Sequence, residues 1–233
     1  MFYHEKEMDW LEEALRELGI EVEALPFELG IGPREDISRH LQREMGLLYR
    51  RHAFIDQYSF AVPSREALAA IARFSPLIEI GAGTGYWAKL LRKAGADVLA
   101  FDLAPPALGS SNPHGWTWTH TEVLPGGTEK LLEHPDRTLF LCWPPYASAM
   151  AARCLELYQG EHLVYIGEGV SGCTGDDRFH ELLERAWVCI ETVDIPHWPS
   201  VHDQLEVYQR NEKMVVQAAK PIRHRKEVSN DQL

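Results

Sequence analysis

Apolar residues recur at two different periods along this chain, and the change of period divides it. Met8, Leu11, Leu15 and Leu18 fall at spacings of three and four, one face of an amphipathic helix, and Gly19 stops the run. Ile37, Leu41, Met45 and Leu48 form a second stripe of the same kind, after the turn residues Gly30, Gly32 and Pro33. Residues 1–62 therefore read as a helical accessory region. Its apolar faces need a partner, either the rest of the chain, which they would cap as a lid, or a second copy in a homodimer.

From residue 63 the pattern becomes short apolar runs alternating with helical stretches, which predicts a parallel sheet. Pro63-Ser64 opens a helix carrying Leu68 and Ile71. Leu77–Ile80 reads as a strand, followed by a glycine turn, a helix over 86–93 closed by Gly95, and a second strand over 98–102. A third strand is predicted over 116–123, a fourth over 138–143 and a fifth over 162–166. Helices over 147–158 and 176–186 follow the last two, and 187–195 and 204–209 read as two further strands joined by a loop. The fold class is α/β, a mostly parallel sheet with helices on both faces. The domain is expected to span 63–220, with 221–233 as a polar, flexible tail.

Composition narrows the field. With 233 residues, 45% hydrophobic and 25% charged, the chain has room for one sizeable α/β domain plus a small accessory region. No apolar run approaches the eighteen or so residues of a membrane span, and the N-terminus lacks the layout of a secretory signal. A soluble, cytoplasmic protein is expected. The formal charge of −12, from 35 acidic and 23 basic residues, weighs against nucleic acid as the main partner. The densest basic stretch, Arg223-His224-Arg225-Lys226, reads as part of the solvated tail. Cys142, Cys154, Cys173 and Cys189 are too far apart for a C-x-x-C pair or a zinc knuckle, so mostly buried thiols and no metal are expected.

The segment that carries chemistry is Glu79-Ile80-Gly81-Ala82-Gly83-Thr84-Gly85-Tyr86-Trp87, with Asp102 ending the next strand. Glycines let a strand turn sharply into a helix and let a ligand approach the backbone. The helix start offers unpaired N–H groups, and an acid at the next strand end can accept from both hydroxyls of a ribose. A phosphate-cradling P-loop needs Gly-Lys-Ser/Thr where Tyr86-Trp87 stands, and a nicotinamide or flavin fingerprint needs a glycine at Tyr86. The observed spacing, acid-x-G-x-G-x-G with an acid seventeen residues on, resembles the first motif of class I (Rossmann-like) S-adenosylmethionine-dependent methyltransferases.

That resemblance covers residues 63–210 and implies a seven-stranded sheet whose last strand runs antiparallel. It implies S-adenosyl-L-methionine as cofactor, with Gly81, Ala82, Gly83 and Gly85 along its methionine part and Glu79 orienting its ammonium group. Asp102 would hold the ribose, Leu103 would flank the adenine, and Glu122 would meet the adenine amino group. At the end of the fourth strand, Trp143-Pro144-Pro145-Tyr146 resembles the Asp/Asn-Pro-Pro-Tyr motif of amino-group methyltransferases. There the Pro144 carbonyl and the Tyr146 ring would face the acceptor, with Trp143 beside the methyl group. Indole has a donor but no acceptor, so the family's grip on a base amino group is in doubt here.

Further candidates lie at strand ends on the same side. Glu168, between Gly167 and Gly169, would bind a substrate ammonium or act as a base. His202, in the loop His197-Trp198-Pro199-Ser200-Val201-His202-Asp203, is a second candidate base, and Tyr58 a lid residue facing the acceptor. The catalytic candidates are thus Tyr146, Glu168 and His202. Three functions follow in order: transfer of a methyl group to a small molecule, the same transfer to nucleic acid or protein through Trp-Pro-Pro-Tyr, and a non-catalytic binding module.

Overall fold

Strand β1 (Leu77–Ile80) is buried at every position because it lies mid-sheet with apolar layers on both faces. A computed structural model of the chain describes residues 5–25, 39–106 and 112–211. Around β1 stand β2 (Val98–Asp102), β3 (Leu124–Pro125), β4 (Thr138–Cys142), β5 (His162–Gly167), β6 (Trp187–Val193) and β7 (Gln204–Arg210), in the order β3-β2-β1-β4-β5-β7-β6. β1 pairs in parallel with β2 and β4, and β4 with β5, whereas β7 runs antiparallel to both β5 and β6. The sheet is the seven-stranded one expected, with its last strand antiparallel. After β3 the chain crosses back to lay β4 beside β1. The strand order reverses there, and a crevice opens beyond the carboxyl ends of these two strands.

Helices cover both faces. α3 (Arg65–Ala72) and α4 (Tyr86–Lys93) pack Ile71, Trp87 and Leu91 against Leu77, Val98, Phe140 and Val164. α6 (Met150–Leu157), α7 (Asp177–Ala186) and the single turn α5 (Lys130–Glu133) pack Leu155, Phe179 and Leu131 against Ile78, Leu139, Leu141 and Tyr165. Alternate residues of β1 and β4 thus feed opposite layers, which is why these strands read as continuous apolar runs. The Ser64 hydroxyl caps α3 by accepting from the Ala67 N–H at 3.1 Å.

The accessory helices are α1 (Glu5–Glu17) and α2 (Arg39–Gln57). α1 buries Met8, Leu11 and Leu15 of the stripe read from the sequence, with Leu18 half-buried just past its end, and Gly19, at φ 75°, closes it: Gly19 N–H donates to Arg16 and Ile20 N–H to Leu15. Arg43 bridges to Asp9 and Glu12 at 2.7 Å and ties the two helices together. Met8, Leu11, Leu15, Leu47 and Phe54 form a third core with Val62, Trp198 and Val201, so both helices sit on the loop between β6 and β7.

Several expectations are corrected. The buried face of α2 carries Leu47, Phe54 and Ile55, while Leu41 and Met45 are half-buried and Leu48 is 43% exposed. The seam with Trp198 is narrow and follows the seven-residue step from Leu47 to Phe54, one position off the predicted stripe. Ile37, Gly30, Gly32 and Pro33 lie outside the described residues, as do Arg223–Lys226 and the tail. No strand forms over 116–123: β3 is the two residues Leu124–Pro125 just beyond, because the residues before it cross the glycine turn, with His120 N–H donating to the Thr84 carbonyl. Cys154 is buried and Cys142 partly so, but Cys173 and Cys189 are exposed. Among the described residues no helix is long and apolar enough to cross a membrane.

Candidate functional site

The bend after β1 is folded over the end of β2. Gly81 and Ala82 both donate their N–H to the Phe101 carbonyl, at 2.8 and 3.0 Å. Gly83 N–H donates to Asp102 Oδ2 at 2.9 Å, and Ala104 N–H to Oδ1 at 2.9 Å. Asp102 is therefore fixed beside the bend, and each oxygen keeps a lone pair for a further donor. Gly81 and Gly83 hold positive φ of 80° and 55°, and a Cβ on Gly83 would stand 2.7 Å from the Trp116 ring. Gly85 has a different job. Its absent Cβ would stand 2.7 Å from Val123, so it lets α4 start against the segment before β3, and it does not line the crevice.

The crevice holds a cavity of about 560 Å³. One half is built from Glu79, the bend, Asp102, Leu103, and the loop 126–129 after β3. Glu79 is 2% exposed, and its Oε2 has no partner. Burial pushes its carboxyl up to about 8, against the pull of Arg92, with Asp102 adding to the rise. Arg92 is held elsewhere by the carbonyls of Val98 and Glu122 and the hydroxyl of Thr121. A buried carboxylate aimed into a cavity without its own donor is built for a cation that arrives from outside.

Not every candidate for this half is in it. Glu122 is exposed and engages Arg92 through its main-chain carbonyl, and it does not line the cavity. The acid on that wall is Glu129, whose Oε1 accepts from Gly127 N–H at 2.8 Å. The sequence signal for it was the Gly126-Gly127 pair immediately after β3.

The other half of the cavity is aromatic. Tyr58, Phe60, His114, Trp116 and Trp143 line it, together with Ser148, Ala149, Met150 and Arg153 at the start of α6. Phe60 is the hub, stacked on Trp143 at 5.5 Å and edge-on to His114 at 5.4 Å and Trp116 at 6.3 Å. Trp143 sits at the tip of β4 with φ 50°, and its indole N–H donates to Asp203 Oδ2 at 2.7 Å. Asp203 is buried and its carboxyl is pushed up to about 7 by desolvation. Phe60, His114 and Trp116 escaped the sequence reading, although Trp116-Thr117-Trp118 is a visible aromatic cluster.

The structure sets the remaining candidates apart from the cavity. The Pro144 carbonyl accepts from Gly175 N–H at 3.1 Å, and Ala147 N–H donates back to the Gly175 carbonyl, so the Pro-Pro corner is zipped to the loop before α7. Tyr146 is 70% exposed and does not line the cavity. Glu168 is a loop brace, its Oε2 accepting from Cys173 N–H at 2.8 Å and its Oε1 from His202 N–H at 2.9 Å. The His202 imidazole is 77% exposed and 3.9 Å from Glu168. Tyr58 does reach the cavity, where it stacks on His120.

No protein-family model matches the sequence, and no curated protein matches it. Among solved structures, the chain is similar to the N-methyltransferase NodS from Bradyrhizobium japonicum with S-adenosyl-L-homocysteine, at 18% identity over 72% of this chain and 98% of that one, TM-score 0.44. It is similar to magnesium protoporphyrin IX methyltransferase from Synechocystis with bound SAM, at 14% identity over 88% and 97%, TM-score 0.45. It is also similar to human N-acetylserotonin methyltransferase in complex with SAM, at 14% identity over 88% and 66%, TM-score 0.44. Likenesses this distant transfer no residue role. The strand order, the antiparallel β7 and the bend gripping Asp102 carry the assignment of architecture. The fold is Rossmann-like. Within it the cavity lies at the strand-order reversal, where such sheets bind their ligands.

Proposed function

We propose that this chain is an S-adenosylmethionine-dependent methyltransferase acting on a small molecule in the cytoplasm. The observation that carries the proposal is the unpartnered, buried Glu79 carboxylate beside a glycine-rich bend whose Gly83 N–H holds Asp102. The residues fit the cofactor. Glu79 would take its ammonium group, Asp102 the ribose hydroxyls, and Gly81 and Gly83 would face it with backbone alone. Leu103, which is exposed, would cover the adenine, and Glu129, on the same wall, would accept from the adenine amino group.

When bound, the sulfonium supplies an activated methyl group, so the chain has mainly to align an acceptor and exclude water. Such positioning supplies on the order of 7–11 kcal/mol in favourable cases. Trp143 and Phe60 wall the aromatic half, and His114 is the imidazole in that lining that would face a hydroxyl or amine acceptor. The open cavity speaks against a module that keeps the fold without a ligand.

Titration calorimetry with S-adenosylhomocysteine tests this. Wild type should give saturable heat, Asp102→Ala should bind at least about tenfold more weakly, and Gly83→Arg, which drives a side chain into Trp116, should give none. Silence from the wild type would remove the proposal.

A further inference from the structure

The aromatic half of the cavity has a composition that selects its occupant. Phe60, Trp116 and Trp143 present three rings within a few ångströms of each other, joined through Phe60 at 5.5 and 6.3 Å. Two features decide between the ligands such a wall attracts. Aromatic rings hold both flat apolar molecules and organic cations. The cation slot at Trp143, however, is already taken by the Arg51 guanidinium, whose Cζ lies 5.4 Å from the ring centroid. Arg153, 3.4 Å from Glu156, is a positive group in the cavity lining itself. A cationic acceptor would find the Trp143 face already occupied and would meet the Arg153 guanidinium in the lining. The carboxylates in the lining lie in the other half: Glu79 and Asp102 at the bend, Glu129 across from them.

We infer that the acceptor is a neutral or anionic planar aromatic molecule, seated against Phe60, Trp116 and Trp143. The inference deepens the proposed function and rests on it for the meaning of "acceptor". Binding to the wall can nevertheless be measured on its own. Phe60 touches each of the other rings except Tyr58 and is half-exposed, so its substitution tests the wall without opening the core.

The experiment is calorimetry of the whole chain, with saturating S-adenosylhomocysteine, against three probes: 1-naphthol, its saturated counterpart decahydro-1-naphthol, and benzyltrimethylammonium. Naphthol should bind about tenfold more tightly than either of the others. Phe60→Leu should erase most of that preference, Phe60→Tyr should restore it, and both should bind S-adenosylhomocysteine within about twofold of wild type. Circular dichroism of Phe60→Leu establishes that it folds, and the Tyr variant decides the matter if it does not. Equal binding of the saturated alcohol, tighter binding of the cation, no naphthol binding, or indifference to Phe60→Leu would each overturn the inference. If S-adenosylhomocysteine gives no heat with wild type, the proposed function fails, and the same three probes without it still decide whether the wall is an aromatic site.

Discussion

A carboxylate as buried as Glu79, with an oxygen lacking any partner, costs the free protein stability. Its carboxyl rises from the ordinary 4.5 to about 8, chiefly by desolvation, so the folded state holds a proton that the unfolded state releases. The sign follows: this group's contribution is fully favourable below about pH 4.5 and is lost as the pH climbs through 8. Glu79→Gln removes the penalised charge. In urea denaturation at pH 8.5 it should be more stable than wild type, by about 2–4 kcal/mol, with the gain fading towards pH 5. The same variant should lose S-adenosylhomocysteine binding, since an amide offers an ammonium no charge. Binding to wild type near pH 7 should release close to one proton, read from heats in buffers of different ionisation enthalpy. A variant no more stable at pH 8.5 would show that Glu79 is already paired. This residue, Gly81, Gly83 and Asp102 were legible in the sequence because a strand, a tight turn and the next strand end fix their relative places locally, whereas Gly85 serves the start of α4. Tyr146, Glu168 and His202 were not, because where they point depends on the loops around Gly175 and Ser200, which are set by distant contacts.

Secondary elements were legible wherever a local stop or start signal agreed with burial. α4 begins and ends where the pattern put it, and the Ser64 cap and the Gly19 stop were visible as residue types. The miss at β3 has a physical reason. Pro125 lacks an N–H for the ladder, β3 is at the sheet edge, and the chain before it is claimed by the glycine turn rather than by β2. The two glycine types in the bend should behave differently. Gly85→Ala places a methyl 2.7 Å from Val123 at φ 71°, so stability should fall by about 1–3 kcal/mol, with S-adenosylhomocysteine affinity preserved in the folded fraction. Ser64→Ala, which only uncaps α3, should cost about 1 kcal/mol and leave binding alone. Chemical denaturation paired with calorimetry separates the two readouts. A loss of affinity in Gly85→Ala without a loss of stability would return Gly85 to the ligand face.

At the scale of the molecule, several contacts join the accessory helices to the cavity. Met8, Leu11 and Leu15 of α1 and Leu47 and Phe54 of α2 close over Trp198, which is 1% exposed and lies 5.4 Å from the Phe54 ring. Five residues further along that loop, Asp203 holds the Trp143 indole, and Trp143 forms the cavity wall. A second link runs from the end of α2: the Gln57 carbonyl lies 2.8 Å from His120 Nε2, and the Tyr58 carbonyl accepts from the Thr84 hydroxyl inside the glycine bend. Amphipathic stripes showed that the helices needed a partner but could not name it, because the partner is Val62 with Trp198 and Val201 of a loop that has no periodicity of its own. Trp198→Ala should therefore cost about 3–5 kcal/mol through the cavity it leaves. Its signature beyond instability should be spatial. Amide exchange should quicken in α1, α2 and residues 57–60, and aromatic probes should bind more weakly, while the α6–α7 layer stays protected. A uniform rise in exchange across both faces of the sheet would mean that the third core is not a separate unit, and that the helices reach the site only through global stability.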